Sequence, residues 1–111
     1  MNNELSFYKG DDVYWQLTIT DENDTIVDIT GYIVNFTIKK YATDSDNDAI
    51  LKKTITDHSD PTNGKTVIYL TKSDTDKIAV NTYIYDIQIT DKNDKVTTVI
   101  KDTIEVLQDV T

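Results

Sequence analysis

TYIYDIQITD, residues Thr82 to Asp91, is the stretch that decides the fold. Apolar and polar residues alternate along it almost without a fault. A period of two over eight residues predicts a half-buried β-strand whose apolar side faces a core. The rest of the chain reads as strands that cover this buried side, which consists of Tyr83, Tyr85, Ile87 and Ile89.

Other segments with strand character lie on both sides of this stretch. Val13–Thr20 and Tyr32–Lys40 alternate clearly, and their patterns turn Trp15 and Phe36 inward. Trp15, the single Trp of the chain, is therefore predicted in the core, with an acceptor for its indole N–H. The remaining predicted strands are Leu5–Lys9, which we expect to pair with Val13–Thr20, then Ile50–Thr56, Lys65–Thr71, Lys95–Leu107 and a short candidate at Thr25–Asp28.

Several local signals refine this pattern. Lys52 and Lys53 predict that Ile50–Thr56 is an edge strand, since charges there discourage pairing with other chains. Both sides of Lys65–Thr71 are apolar, so its buried face stays open. Thr71 to Asp74 resembles a capping box and predicts one helical turn over Ser73–Ile78. The length of the last strand requires a bulge, which we place at Lys101–Thr103.

About seven short strands and one short helical turn predict an all-β fold, an antiparallel β-sandwich of immunoglobulin type. Tyr83 stands where that fold often places a Tyr whose hydroxyl bonds to the backbone upstream. Tyr85 then takes the position of the second cysteine of antibody domains, but the chain has no cysteine, so an antibody-type domain is excluded. A small closed barrel is the alternative.

Length and charge limit the classes of function. The 111 residues predict a single domain spanning 1–111, with a frayed polar segment at Met1–Glu4. A net charge of −9 disfavours nucleic acids and anionic membranes as partners. No apolar run approaches the ~20 residues of a membrane span, and no signal peptide is visible, so we expect a soluble protein.

The polar loops hold no recognisable catalytic or cofactor site. His58, the single histidine, stands among polar neighbours in a loop, and we interpret it as an exposed loop residue because a catalytic triad converges from separate elements. The turns Asp21–Asp24 and Asp91–Asp94 echo each other and are interpreted as hairpin turns rather than calcium sites. Whether the alternating Asp44, Asp46 and Asp48 bind a cation stays open, and a solvated loop is the simpler interpretation.

Several stretches together resemble a known family. They are FYKGDDVYWQLTITD (Phe7–Asp21), DITGY (Asp28–Tyr32), VNFTIKK (Val34–Lys40), LTKSDT (Leu70–Thr75), TYIYDIQITD (Thr82–Asp91), KVTTVIKDTIEV (Lys95–Val106) and the terminal QDVT (Gln108–Thr111). The likeness is to the small structural proteins of tailed bacteriophages and prophages, akin to the N-terminal immunoglobulin-like domain of phage baseplate upper proteins. It extends from Phe7 to Thr111 and departs at Asn81 and Asp102, where many members carry Gly.

The resemblance implies a non-enzymatic virion protein of the tail or baseplate, assembled in the bacterial cytoplasm through contacts with other phage structural proteins or with copies of itself. From the residues we expect the first predicted strand, Leu5–Lys9, to be the edge that contacts partners, with Phe7 or Tyr8 as the anchor. Lys9 is the one charged residue in this strand that would discourage the addition of another strand. The alternative for those two residues is that Phe7 fills the core and Tyr8 lies on the surface. The alternative function is a carbohydrate-binding β-sandwich that adsorbs to host cell-wall glycans.

Overall fold

Seven β-strands, one short helix and one 3₁₀ turn account for the regular structure in this computed structural model, which describes residues 4–41 and 49–108. The helix α1 (Lys72–Asp76) lies between β5 and β6, and the 3₁₀ turn (Pro61–Asn63) precedes β5. The strands are β1 (Leu5–Tyr8), β2 (Val13–Thr18), β3 (Ile33–Lys39), β4 (Leu51–Ile55), β5 (Lys65–Leu70), β6 (Asn81–Thr90) and β7 (Val96–Leu107).

The strands form two sheets of unequal size. The larger sheet has the order β1-β7-β6-β3-β4, and the smaller one consists of β2 and β5. The order β7-β6-β3-β4 corresponds to strands G-F-C-C′ of an immunoglobulin variable-type domain, and β2-β5 corresponds to B-E. The predicted all-β sandwich is therefore confirmed, with one parallel pair, β1 with β7, among otherwise antiparallel neighbours.

The core lies between the two sheets and is organised around β6. The four side chains predicted to face inward from β6 are all buried. From the adjacent strand β3 come Val34, Phe36 and Ile38, and the small sheet contributes Ile68 and Leu70. Full burial of such a side chain stabilises the fold by about 1.5–3 kcal/mol, so the regular alternation of β3 and β6 contributes substantially to stability.

Pairing with β2 determines which of the two apolar sides of β5 is buried. Thr66, Ile68 and Leu70 are buried, whereas Tyr69 lies on the outer face. In the register of the small sheet Trp15 faces Ile68, so both residues point toward the core. Trp15, predicted in the core, is half-buried and packs against the core from its rim.

The first strand pairs with a different strand from the one predicted, which was Val13–Thr20. β1 pairs in parallel with β7, with Phe7 opposite Val106, and does not pair with β2. The turn after β1 carries the chain from one sheet to the other through Gly10, whose φ of 89° is favourable only for glycine. The short candidate Thr25–Asp28 is reduced to a single bridge between Thr20 and Ile26.

A bulge interrupts β7, at a different place from the one predicted. The register with β6 shifts between Ile87 and Gln88, which face Ile100 and Thr98 respectively. Val99 is therefore the extra residue, and Lys101–Thr103 continues the regular ladder. Asn81 and Asp102 lie within β6 and β7.

The helix α1 begins as the capping box predicts. The Thr71 hydroxyl accepts a hydrogen bond from the Asp74 N–H at 3.2 Å, and the Asp74 carboxylate accepts one from the Thr71 N–H at 2.9 Å. Lys53 of β4 contacts the same carboxylate at 2.6 Å. This pair joins the edge of the large sheet to the segment that follows the small sheet.

The tyrosine corner is confirmed as well. The Tyr83 hydroxyl donates a hydrogen bond to the Ala79 carbonyl at 2.6 Å, four residues upstream. Its ring is buried at the start of β6. The bond therefore fixes the corner through which the chain passes from α1 into the central strand.

Candidate interaction surface

The acidic residues and the histidine of the described chain are spread over its strands, turns and loops. No group of three or more His, Cys, Asp or Glu residues within 4–41 and 49–108 is placed to hold a metal ion. Asp44, Asp46 and Asp48, the alternating acidic loop of the sequence, lie outside the described residues.

His58 is bonded and half-buried instead of lying free in a loop, which corrects the prediction. Its Nε2 lies 2.8 Å from the Tyr32 carbonyl oxygen, and its Nδ1 lies 2.9 Å from the Thr66 hydroxyl. A carbonyl oxygen can only accept, so Nε2 carries the proton and Nδ1 accepts from Thr66 in the neutral ring. Both ring nitrogens are thus used to fasten the loop to the sandwich.

The two echoing acidic turns have the same geometry. The Asp21 Oδ1 atom accepts from the N–H groups two and four residues ahead, at 2.8 and 3.0 Å, and Asp91 Oδ1 repeats both bonds at the same distances. The last turn residue, Asp24 or Asp94, is left-handed, with φ of 61° or 63°. This is a hairpin turn closed by a left-handed residue, as predicted, and its principal carboxylate is directed at the backbone.

The edge strands of the large sheet offer surfaces that a partner could bind. β4 is an edge strand, as predicted, and it carries Lys52 and Lys53. β1 forms the opposite edge of the same sheet. Phe7 is 4% exposed and packs edge-on against Trp15 with ring centroids 6.2 Å apart, whereas Tyr8 is 48% exposed. Of the two predicted contact residues, only Tyr8 lies on the surface.

An aromatic pair covers part of the outer face of the small sheet. Tyr14 and Tyr69 face each other across the strands, and their rings stack at 4.3 Å with an angle of 12° between the planes. They are 66% and 40% exposed. The hydrogen bond between the two hydroxyl groups, followed by partial burial, raises the pKa of Tyr69. Sequence reasoning missed this pair because the register of the two strands joins residues far apart in the chain.

A groove runs along the side of β2 that faces away from β5. Because two strands cover a sheet of five, apolar side chains beside β2 remain half-buried. The upper part of the groove has a volume of about 330 Å³ and lies between β2, the start of β1 and the strands β6 and β7. A second hollow, the lower part, lies past the end of β2 and reaches Val99 at the bulge of β7. We call the whole feature the β2 groove, and its half-buried apolar residues are Leu5, Trp15, Leu17, Val27, Val99 and Ile100.

The alternation of apolar residues in β2 and β7 predicted some of the residues that line the β2 groove. Leu17 and Ile100 were assigned to strands, but the missing neighbour of β2 could be recognised only once β1 was seen to pair with β7. Comparison with known family models and with curated proteins finds no match to this chain. No helix in the described part of the chain has the length and apolar character needed to cross a membrane.

Proposed function

We propose that this chain is a non-enzymatic structural module of a tailed phage or prophage, part of the tail or baseplate, that acts through protein–protein contacts. The observation that carries the proposal is the β2 groove, in which a strand edge lies beside half-buried apolar side chains. Surfaces of this kind mark sites of protein association. The family resemblance from Phe7 to Thr111 supplies the class of assembly.

Strand edges suit an assembly role because they bind through the backbone. An edge presents N–H and C=O groups at regular spacing, and a partner strand adds to them without a preformed pocket. The sandwich has such edges at β1 and β4 of the large sheet and at both strands of the small sheet, β2 and β5. In this proposal the partners are other structural proteins of the particle, and assembly takes place in the bacterial cytoplasm.

The proposal is tested by following the chain into particles. Phage induced from a lysogen that carries a tagged copy are purified on a density gradient, and the tag is then measured in the particle fraction. We expect the chain to sediment with particles and to crosslink to tail or baseplate proteins. A tag that stays in the soluble fraction, while complete tails form, would overturn the proposal.

A Tyr8→Lys variant extends the same experiment to a single residue. Replacing this half-exposed ring with Lys places a charge on the β1 edge, and we expect weaker incorporation with the isolated fold intact. The matched control is Val96→Lys, because Val96 is 55% exposed at the start of β7. Equal incorporation of both variants would show that the β1 edge near Tyr8 is not a contact surface.

The stacked tyrosines favour a second candidate, a carbohydrate-binding module. Exposed aromatic rings can stack on sugar rings, and Tyr14 and Tyr69 lie together on an open face. One face of each ring is already occupied by the other, however, which leaves a narrow platform. Cell-wall pull-down of the wild type and a Tyr14→Ala/Tyr69→Ala variant tests this function. Retention that the double variant loses would support it, and no retention of the wild type would exclude glycan adsorption.

A further inference from the structure

The backbone of β2 presents a complete edge to the groove. The Ile19 N–H donates to the Gly64 carbonyl at 2.8 Å. Because backbone groups of successive residues point to opposite sides of a strand, this bond shows which residues of β2 direct their N–H and C=O groups toward β5. Val13, Trp15 and Leu17 direct their backbone groups toward β5, so Tyr14, Gln16 and Thr18 direct theirs away from it. Within residues 4–41 and 49–108 no strand pairs with that side. Three N–H and three C=O groups are therefore positioned to receive a strand.

The space beside this edge suits the side chains of an added strand. Trp15 and Leu17 border the groove from β2, and Ile100 borders it from β7. All three are half-buried and already contact the core. A strand in the groove would place alternate side chains against them, because successive residues point to opposite faces. Apolar residues at every second position would thus complete the core on this flank.

β2 also lacks the devices that protect other edges. Its sequence, VYWQLT, contains neither a charged residue nor a proline. The edge strand β4 carries Lys52 and Lys53, and charges of this kind discourage the addition of foreign strands. An unprotected edge beside an apolar groove is a liability for a protein that stays monomeric, so it indicates a surface that becomes covered.

The charges at both ends of β2 indicate which partner covers it. Asp11 and Asp12 precede the strand, and Asp21 and Glu22 follow it. Among the described residues that line the groove, Lys95 at its lower end carries the one positive charge. A strand with basic residues at its ends would therefore be attracted at both ends.

A second copy of the chain fits poorly for the same reason. In an antiparallel pair of β2 strands centred on Gln16, Tyr14 would face Thr18 of the second copy. Asp11 would then face Asp21 of that copy, twice in the dimer. Like charges directly opposite one another destabilise strand pairs, and each copy already carries a net charge of −9.

We propose that the open edge of β2 accepts an extended segment of a partner protein as the third strand of the small sheet. The segment has apolar residues at alternate positions, which pack on Trp15, Leu17 and Ile100, and Lys or Arg at its ends. This inference rests on the proposed assembly function and gives it a surface and a class of partner. The partner segment contributes backbone hydrogen bonds to Tyr14, Gln16 and Thr18.

A synthetic strand provides the test. The probe is a peptide of about eight residues, in which Val alternates with Thr and a Lys stands at each end; the control has Glu at the ends. Neither peptide contains an aromatic residue, so Trp fluorescence reports Trp15 alone. With the Lys-ended peptide we expect a saturable blue shift of Trp15 emission and slower amide exchange at Gln16. The Glu-ended peptide should bind about tenfold more weakly at low salt.

Two proline variants locate the binding edge. Gln16→Pro removes an N–H that points into the groove, and Val67→Pro removes one that points to the opposite side of the same sheet. We expect the first to weaken peptide binding about tenfold and the second to leave it unchanged. If Gln16→Pro does not fold, the Asp11→Asn/Glu22→Gln variant replaces it, and that variant should lose the preference for Lys over Glu ends.

Three outcomes would overturn the inference. The first is an unchanged Trp15 emission at saturating Lys-ended peptide. The second is equal binding by the two proline variants, or a retained preference in the Asp11→Asn/Glu22→Gln variant. The third is a concentration-dependent blue shift without peptide that Gln16→Pro abolishes, which would assign the groove to a second copy.

The proposed function fails separately from this inference. A chain that binds the Lys-ended peptide yet stays out of purified particles would overturn the virion role and leave the strand site in place. A Gln16→Pro variant that enters particles at the wild-type level would overturn the strand site as the assembly surface and leave the virion role in place.

Discussion

At the scale of single residues, Tyr83 shows how a small local contact supports a whole domain. Its ring is buried and its hydroxyl donates to the Ala79 carbonyl at 2.6 Å. Tyr83→Phe keeps the ring and leaves the carbonyl without this donor, so we expect a loss of about 1–2 kcal/mol in the free energy of unfolding. Urea denaturation measures it. Tyr8→Phe, at an exposed position, is the control, and an equal effect of both changes would contradict the role of the corner.

Tyr85 makes a second residue-scale prediction, on alkaline stability. Burial, and then the negative charge of Asp102, raise the pKa of Tyr85 from 10.0 to about 12. The unfolded chain therefore loses this proton at lower pH than the folded one. Stability from this group is fully present below pH 10.0 and is lost as the pH rises toward about 12.

Tyr85→Phe removes this dependence. Unfolding midpoints in urea, measured for both proteins between pH 9 and about 12, should fall more steeply for the wild type than for the variant. Curves that stay parallel over the whole range would show that Tyr85 ionises equally well in the folded state.

At the scale of elements, the helix α1 depends on Asp74. Burial opposes ionisation of this carboxyl, but hydrogen bonds from Lys53 and Thr71 outweigh it and lower the pKa of Asp74 below 3.8. The folded state thus prefers the carboxylate. Its contribution is fully present above pH 3.8 and is lost as the pH falls through the lower pKa of the folded state.

Asp74→Asn should therefore destabilise the protein at neutral pH by about 1 kcal/mol, a typical contribution of a capping residue. The difference from the wild type should disappear in acid. Denaturation followed by Trp15 fluorescence at pH 7 and at about pH 2 measures both. Asp76→Asn, whose side chain is 74% exposed, serves as the control, and a difference that persists in acid would contradict the assigned pKa.

The success of sequence reasoning also differs between elements. β6, β3 and the capping box of α1 follow from residues close in the chain, so their alternation or spacing was sufficient to predict them. The pairing of β1 with β7 joins Leu5 to Ile104, and neither strand encodes that choice locally. The same is true of the bulge at Val99, because its position depends on where the register with β6 can be kept on both sides.

At the scale of the whole molecule, the unequal sizes of the two sheets determine what the surface offers. Once β1 joins the large sheet, β2 keeps an open side, and Trp15 lies at the rim instead of inside. Phe7 and Tyr8 of β1 were the predicted contact residues, but Phe7 is buried. The β2 groove could not be predicted, since it follows from the topology and from no single stretch of sequence.

Both proposals rest on β2 being a strand paired on one side only, and amide hydrogen exchange of the isolated chain tests this most directly. Pairing with β5 protects the N–H groups of Trp15 and Leu17, while those of Gln16 and Thr18 point into the groove. We predict alternating exchange along β2, slow at Trp15 and Leu17 and fast at Gln16 and Thr18. Slow exchange at all four residues would mean that the edge is already covered, and fast exchange at all four would mean that β2 and β5 do not pair; either result would contradict the account.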